Sequence, residues 1–483
     1  MSFTPSNVMW LRPVNRWLAQ RYNVNNAWIF NGTNGNLNNN NVTNRYRAQA
    51  VTNLHSRLYF TLRLQMNEKE FRRKNFSRQI ETYFAARKNK RYGRDQIAYE
   101  VGWVGRTVRS FREREKREFR IRHNYAFLTS MPRWREIFAT EMEGRCADHE
   151  LCDALMPYVE QELTDRTYNN RKGKGGQTAI NQVVEDMCEA SGGYVSEAWV
   201  LKVDIAAFFP SALWTVAERC ITDVIDRHVA ELTADGYDPG YLRWLTMVLL
   251  HANPAAHCEL RTPRWLWEGH ISDEKSLFCK PEGVGAAIGR LTWQTAMGLY
   301  VNDDIRWLSG EKSICAVCFV DDIVLCVPAS QKEYALAIVG ELRGRLAKKG
   351  LRLHPRKFYC QRVCHGLEFL GSHIKPYRLH LNRSTVARAM RRIGELNALS
   401  NKRQYTGKLL SSVNSYAGLM KGRNDRRRLQ LLRRSLDSEW WRYVSWDAGR
   451  QCLVYKHGCS PKERLNRKYG LKLNSSKLSE YET

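Results

Sequence analysis

The residues best suited to do chemistry are two adjacent acids, Asp321 and Asp322, flanked by apolar runs in Cys318-Phe319-Val320-Asp321-Asp322-Ile323-Val324-Leu325-Cys326. A third acid, Asp204, lies far upstream in Val200-Leu201-Lys202-Val203-Asp204-Ile205-Ala206-Ala207-Phe208-Phe209. Close like charges repel, so carboxylates grouped beside strands of Val, Ile and Phe are costly unless cations neutralise them. A pair of divalent cations removes that cost. Such a pair can also activate a hydroxyl nucleophile and stabilise a leaving phosphate oxygen. The expected chemistry is two-metal nucleotidyl transfer. An ordinary hairpin turn would also accept Asp here, so the flanking segments have to decide. Asp303-Asp304 is a second doublet, but it follows an apolar helical run and reads as solvated or capping.

The elements that must position these acids can be read from pattern. Residues 198–205 read as a strand and 314–327 as a hairpin with the acid pair at its turn. Before them, Arg171-Lys172-Gly173-Lys174-Gly175-Gly176 is a basic, glycine-rich turn followed by a helix from about Ala179 to Ala190. Glycine lets backbone approach phosphate and lysine supplies charge, but the spacing is not that of a P-loop. Residues 212–250 read as two helices punctuated at Pro239-Gly240, and 283–309 as a glycine-rich turn and a helix. A helix over 329–349 ends at Gly350. Strand-like pieces follow around Arg352 to His354 and Leu367 to Ile374, and 384–447 read as helical throughout, a separate helical domain. Arg-rich helical patterns cover Glu68 to Arg91 and Gly105 to Arg122. Asn34 to Asn41 is low-complexity, in an Asn-rich segment that also holds Trp10, Trp17, Trp28 and Phe30. The last 25 or so residues read as a loose, Lys-rich tail.

The 483 residues allow two to four domains. Lys and Arg total 77 against 49 Asp and Glu, a formal net charge of +28. The excess is spread along the chain, which suits a groove that tracks a phosphate backbone. No apolar stretch is long enough to span a membrane, and Trp10, Arg12, Asn15 and Arg16 interrupt any signal-peptide pattern. The 13 cysteines are odd in number and lack framework spacing, so reduced thiols in a cytoplasmic setting are expected. Cys315 and Cys318 form a C-x2-C, with Cys360, Cys364 and His365 later. The strand-like context of the first two argues against a zinc site built from that motif.

The ordered set of segments over roughly 80–440 resembles bacterial reverse transcriptases. Ala86 to Arg91 looks like the N-terminal element of retroelement enzymes. Arg135-Glu136-Ile137-Phe138 with Arg145, and Tyr168 to Gly173, look like the two finger motifs. Asp204 with Phe208-Phe209 is similar to motif A, and Gly285 to Gln294 to motif B. Phe319-Val320-Asp321-Asp322 is similar to motif C, Leu353-His354-Pro355-Arg356-Lys357 to motif D, and Leu367 to Gly371 to the motif E primer grip. Ser412 to Gly418 is similar to the thumb segment of this lineage. The string Ile288-Gly289-Arg290-Leu291-Thr292-Trp293-Gln294 resembles the motif B variant of diversity-generating retroelements and related defence-associated enzymes, with Trp293 where relatives have Ser. Asn34 to Asn44, ending in Arg45-Tyr46-Arg47, is also similar to the variable repeats of the target proteins of diversity-generating elements.

The resemblance implies an α+β, right-hand polymerase with an N-terminal extension. Its expected parts are a 1–80 arm with basic helices, 81–197 fingers, a 198–380 palm with an antiparallel sheet, a 381–450 helical thumb and a 451–483 basic tail. It implies RNA-directed DNA synthesis with two Mg2+ ions, for which Mn2+ can substitute, held by Asp204, Asp321 and Asp322. Lys357 would donate a proton to pyrophosphate. Arg135, Arg171 and Lys172 would meet the triphosphate, with Gly289 and Gln294 also at the substrate. Phe209 would select the deoxy sugar, and Trp293 would restrict the template. Phe369, Leu370 and Gly371 would grip the primer. Expected partners are dNTPs, a noncoding RNA and the DNA product. The resemblance leaves room for an accessory protein, a second reverse transcriptase or a homo-oligomer. No integrase, endonuclease or RNase H pattern stands out, which favours a host-serving role over mobility, and the N-terminal arm and Trp293 depart from the diversity-generating pattern, which favours antiphage defence in a bacterial cytoplasm. Mutagenic retrohoming and a catalytically silent RNA scaffold are the alternatives.

Overall fold

The computed structural model describes residues 70–88, 94–130 and 133–460. The Asn-rich arm, the two ends of the first Arg-rich stretch and most of the Lys-rich tail lie outside them. The chain is mixed α+β and divides into two compact units, Met1–Glu68 with Arg87–Gly105, and Lys69–Ala86 with Arg106–Thr483. In the first, helix Arg94–Val101 carries Glu100, whose Oε1 accepts from Arg87 Nε at 2.6 Å and from Gln96 Nε2 at 2.8 Å.

The second unit is organised by a central antiparallel sheet. Among the described residues the strands of this unit, in chain order, are β1 (Asn124–Thr129), β2 (Arg135–Thr140), β3 (Ala198–Ala206), β4 (Cys258–Leu260), β5 (Cys315–Phe319), β6 (Asp322–Pro328), β7 (Arg352–Leu353), β8 (Tyr359–Arg362), β9 (Leu367–Phe369), β10 (Ser372–Lys375), β11 (Arg378–Leu381), β12 (Val444–Asp447) and β13 (Cys452–Tyr455). The central order is β5-β6-β3-β7, with β8 also on β3. Side chains alternate across a strand. Leu201, Val203, Ile205, Cys318, Ile323 and Leu325 enter one core, shared with helices Met142–Glu162, Trp214–Arg227, Pro239–Leu250 and Leu291–Tyr300. Val200, Val317, Val324 and Cys326 enter another, under helix Gly176–Ala190 through Ala179, Ile180, Val183 and Met187. Both faces are covered, which is why β3 and β6 read as continuous apolar runs rather than alternating ones.

A third core gathers helices Arg383–Asn397, Lys402–Gly422 and Arg426–Arg434 around Trp440, which is wholly buried. Asn401 and Asp425 cap the second and third of these, accepting from Gln404 N and Arg428 N. The expectation that 384–447 is helical throughout fails at its end, where β12 pairs antiparallel with β13. Residues 212–250 form three helices rather than two, because Val229–Ala234 is a separate short one. Asp304 is not solvated: it is completely buried and paired with Arg345 Nε at 3.0 Å and Lys349 Nζ at 2.7 Å, while Asp303 is exposed. Among the described residues no helix is long and apolar enough to cross a membrane.

Candidate active site

Register brings the acids together. β3 and β6 are antiparallel with Asp204 directly opposite Asp322. Asp321 lies in the two-residue turn between β5 and β6, and its carbonyl accepts from Ile205 N at 2.8 Å. Asp204 is held again from the other side, where its carbonyl accepts from His354 N at 2.7 Å. The turn demands a left-handed residue and receives Val320, at φ +58°. A β-branched residue there is an outlier, of the kind that persists where the surrounding structure over-determines it.

The electrostatics are those of carboxylates crowded together out of water. Asp321 is pushed above the ordinary carboxylate range by burial, then by Asp322 and Asp204. Asp322 is pushed up by burial, against the opposing pull of Lys202. Two ammonium groups sit on the cluster. Lys357 Nζ donates to both oxygens of Asp204, at 2.9 and 2.8 Å, and Lys202 Nζ lies 2.9 Å from Asp322 Oδ1. Among the described residues Asp321 has no ammonium in ion-pair distance, and Asp322 and Asp204 both push its carboxyl up. Three oxyanion groups that already attract two ammoniums, and that repel each other when bare, fit hard divalent cations. Lys202 had no role assigned from sequence. Its signal is the two-residue spacing from Asp204, which puts both on one face of β3.

The remaining residues divide between those brought to this end of the sheet and those held elsewhere. Phe208 is core, while Phe209 is half-buried, edge-on to Phe208 with centroids 5.7 Å apart. The Phe209 carbonyl accepts from Ala286 N at 2.8 Å, and the Ala212 carbonyl from Gly285 N at 2.7 Å. The other end of that loop joins β2, where Phe138 N donates to Ile288 O at 2.9 Å. Gly289 adopts φ +114°, and a Cβ there would lie 2.7 Å from Phe138 O. Gly289→Ala is therefore expected to cost more than about 1 kcal/mol, read from the urea unfolding midpoint. Phe369 is buried, with Lys202 Nζ 5.8 Å from its ring centre, and Leu370 and Gly371 form a turn at φ +45° and +74°. Leu370 and Phe319 both approach Gly176, so the end of the basic glycine-rich turn lies beside the acid hairpin.

Two expected substrate contacts take other positions. Arg171 is inward: Nε donates to Glu160 Oε2 at 2.8 Å, and Nη1 to the carbonyls of Thr164 at 2.6 Å and Thr167 at 3.0 Å. Its guanidinium is spent on folding the turn, whereas Lys172 is exposed, as is Arg135 at the start of β2. Trp293 is wholly buried in the larger core and presents no ring face to a template slot, while its neighbour Gln294 is half-buried. The motif's buried polar anchor is instead Arg290, whose Nη2 and Nε reach Asp148 at 2.9 and 3.2 Å and whose Nη1 reaches Leu249 O at 2.8 Å. Thr292 Oγ1 adds a 2.6 Å bond to Asp148. Cys315 and Cys318, three apart on β5, point to opposite faces and cannot chelate one ion together.

No family model matches this chain, and no curated protein matches it. Among solved structures, apo telomerase from Candida tropicalis, truncated from its C-terminal domain, is similar at a TM-score of 0.38 and 10% identity. The likeness covers 54% of this chain and 55% of that one, so this chain spans about half the length of that structure.

Proposed function

We propose that this chain is an RNA-directed DNA polymerase with a right-hand layout, in which the central sheet is the palm, the segments before it are the fingers and the helices after it the thumb. One observation carries the reading: Asp204 and Asp322 face each other across the ladder with Asp321 in the adjoining turn. Asp204, Asp321 and Asp322 would hold two Mg2+ or Mn2+ ions, which when bound supply activation of the primer hydroxyl and stabilisation of leaving pyrophosphate. The chain's own residues do the rest. Lys202 orients Asp322, and Lys357 orients Asp204 and would hand a proton to the leaving oxygen. Phe209, set by its bond to the 285–289 loop, presses on the sugar and selects against a 2′-hydroxyl. Lys172 and Arg135 remain free to meet phosphate, and Phe369 to Gly371 form the turn that carries the primer end.

The test is dNTP incorporation on primed RNA with Mg2+ or Mn2+, wild type against Asp321→Ala/Asp322→Ala. Incorporation only by the wild type supports the reading. RNA binding without incorporation by either protein favours a silent scaffold. Lys357→Met is expected to lower single-turnover incorporation by about 10²-fold with RNA affinity unchanged. The basic excess and the Arg-rich Arg426–Arg434 helix suit a resident noncoding RNA. RNase-sensitive nucleic acid should co-purify at low salt. The biological role we favour is antiphage defence, with diversity generation as the alternative. Sequencing the DNA made in cells separates them, since a mutated copy of a template repeat belongs to the second.

A further inference from the structure

At the end of the acid hairpin away from its turn lies a second group of ligand-type side chains, from two distant segments of the chain. Asp186, Glu189 and Cys315 each offer an atom, and these atoms all lie within 4.8 Å of one another. Asp186 and Glu189 are three apart on helix Gly176–Ala190 and so share a face. Cys315 opens β5, on which that helix packs. The independent observation is Asp186 itself. Its side chain is only 1% exposed, and its Oδ1 accepts from Arg166 Nη1 at 2.6 Å and from Gln182 Nε2 at 3.0 Å. Its Oδ2 is buried with no hydrogen-bond partner. A buried carboxylate oxygen left bare is expensive, and a cation would satisfy it.

We propose that Asp186, Glu189 and Cys315 form a structural site for a borderline divalent ion of the Zn2+ type. The donor set argues for the class: a thiolate selects against Mg2+ and Ca2+, while two carboxylates keep the site from being purely soft. Charge balances as well. Two carboxylates and a thiolate meet one divalent ion and the Arg166 guanidinium, which leaves the cluster neutral. Binding requires the Cys315 thiol to give up its proton to solvent as the Sγ–metal bond forms. Ligand atoms on one tetrahedral ion lie about 3.5 Å apart, so closure from the present spacing asks for a shift of about 1 Å. Glu189 is exposed and free to make it. The site would fasten the helix that follows the basic glycine-rich turn to the first strand of the acid hairpin. It is separate from the catalytic acids, which lie at the opposite end of β5.

The experiment is Co2+ titration of the full chain, reduced and in excess Mg2+ so that the acid cluster is occupied. A thiolate-to-cobalt absorption band in the near ultraviolet is expected at one equivalent. Cys315→Ser should abolish it, and Asp321→Asn and Cys364→Ser should leave it intact. Glu189→Gln, at an exposed position that does not threaten folding, should weaken Co2+ binding by at least about tenfold. Zn2+ should displace the cobalt and raise the unfolding midpoint of the wild type but not of Cys315→Ser. A wild-type chain that shows no thiolate band, or a band that survives Cys315→Ser, overturns the proposal. Neither result touches the polymerase reading, which is scored by incorporation.

Discussion

Asp321→Asn should abolish nucleotide incorporation while making the metal-free protein harder to unfold. The loss follows from the role proposed for the acid cluster: a cation-binding carboxylate supports several kcal/mol of transition-state stabilisation. At about 1.4 kcal/mol per factor of ten, that is about 10³-fold or more in rate. The gain follows from the geometry. Burial, then Asp322 and Asp204, raise the Asp321 carboxyl above its ordinary range. A carboxyl raised on folding favours the folded chain only while protonated, and that contribution is lost as pH rises through the folded value. At neutral pH the metal-free Asp321 carboxyl is therefore a net cost to the fold, which an isosteric neutral amide removes. Mg2+ should raise the unfolding midpoint of the wild type at neutral pH and raise that of Asp321→Asn much less. Thermal unfolding with and without Mg2+, beside primer extension, checks both halves. A variant that loses activity and stability together would make Asp321 a folding residue instead.

Asp148→Ala is expected to be among the most destabilising single changes in the chain, at about 3–5 kcal/mol. Asp148 and Arg290 are both buried, with side chains 4% and 1% exposed. Removing the acid leaves a guanidinium in the core held by the carbonyl of Leu249 alone among the described residues, and it strips Thr292 of its acceptor. Urea denaturation measures the loss. The double change Asp148→Leu/Arg290→Met, which removes both charges at similar volume, should recover most of it, because a buried ion pair adds little net stability over apolar packing. The pair also ties helix Met142–Glu162 to the residue after Gly289. Partly folded Asp148→Ala should therefore lose incorporation more than the double variant does.

The placement of the acids was legible in the primary structure where it depended on strand period and on turns. The hairpin around Asp321-Asp322 and the strand through Asp204 follow from apolar runs broken by acids, and the ladder then sets Asp204 against Asp322. Much else was not legible, for physical reasons. β8 and β11, Tyr-Cys-Gln-Arg and Arg-Leu-His-Leu, have too little apolar length to announce themselves; pairing with β3 and β10 makes them strands. The hairpin of β12 and β13 follows an Arg-rich helix closely, and its first strand, Val-Ser-Trp-Asp, is too short to show a strand period. Arg171 and Trp293 sit in motif-like strings, and a string does not reveal whether a side chain faces inward. Arg171 turns in because three acceptors converge on it, and Trp293 because α-helical period buries it. Asp186, Glu189 and Cys315 carry no local signature, since a helix and a distant strand supply them.

The opposed placement of Asp204 and Asp322 has a consequence for how this gene can vary. A strand's side chains swap faces with every residue. Exchanging one buried aliphatic for another in β3 or β6 leaves both carboxylates where they are. Deleting a single codon between 198 and 204, even with composition intact, would send Asp204 into the opposite core and leave the mouth of the sheet without its partner. In these two segments length is under tighter constraint than identity. Libraries that delete or duplicate codons should find them intolerant where libraries of conservative replacements do not.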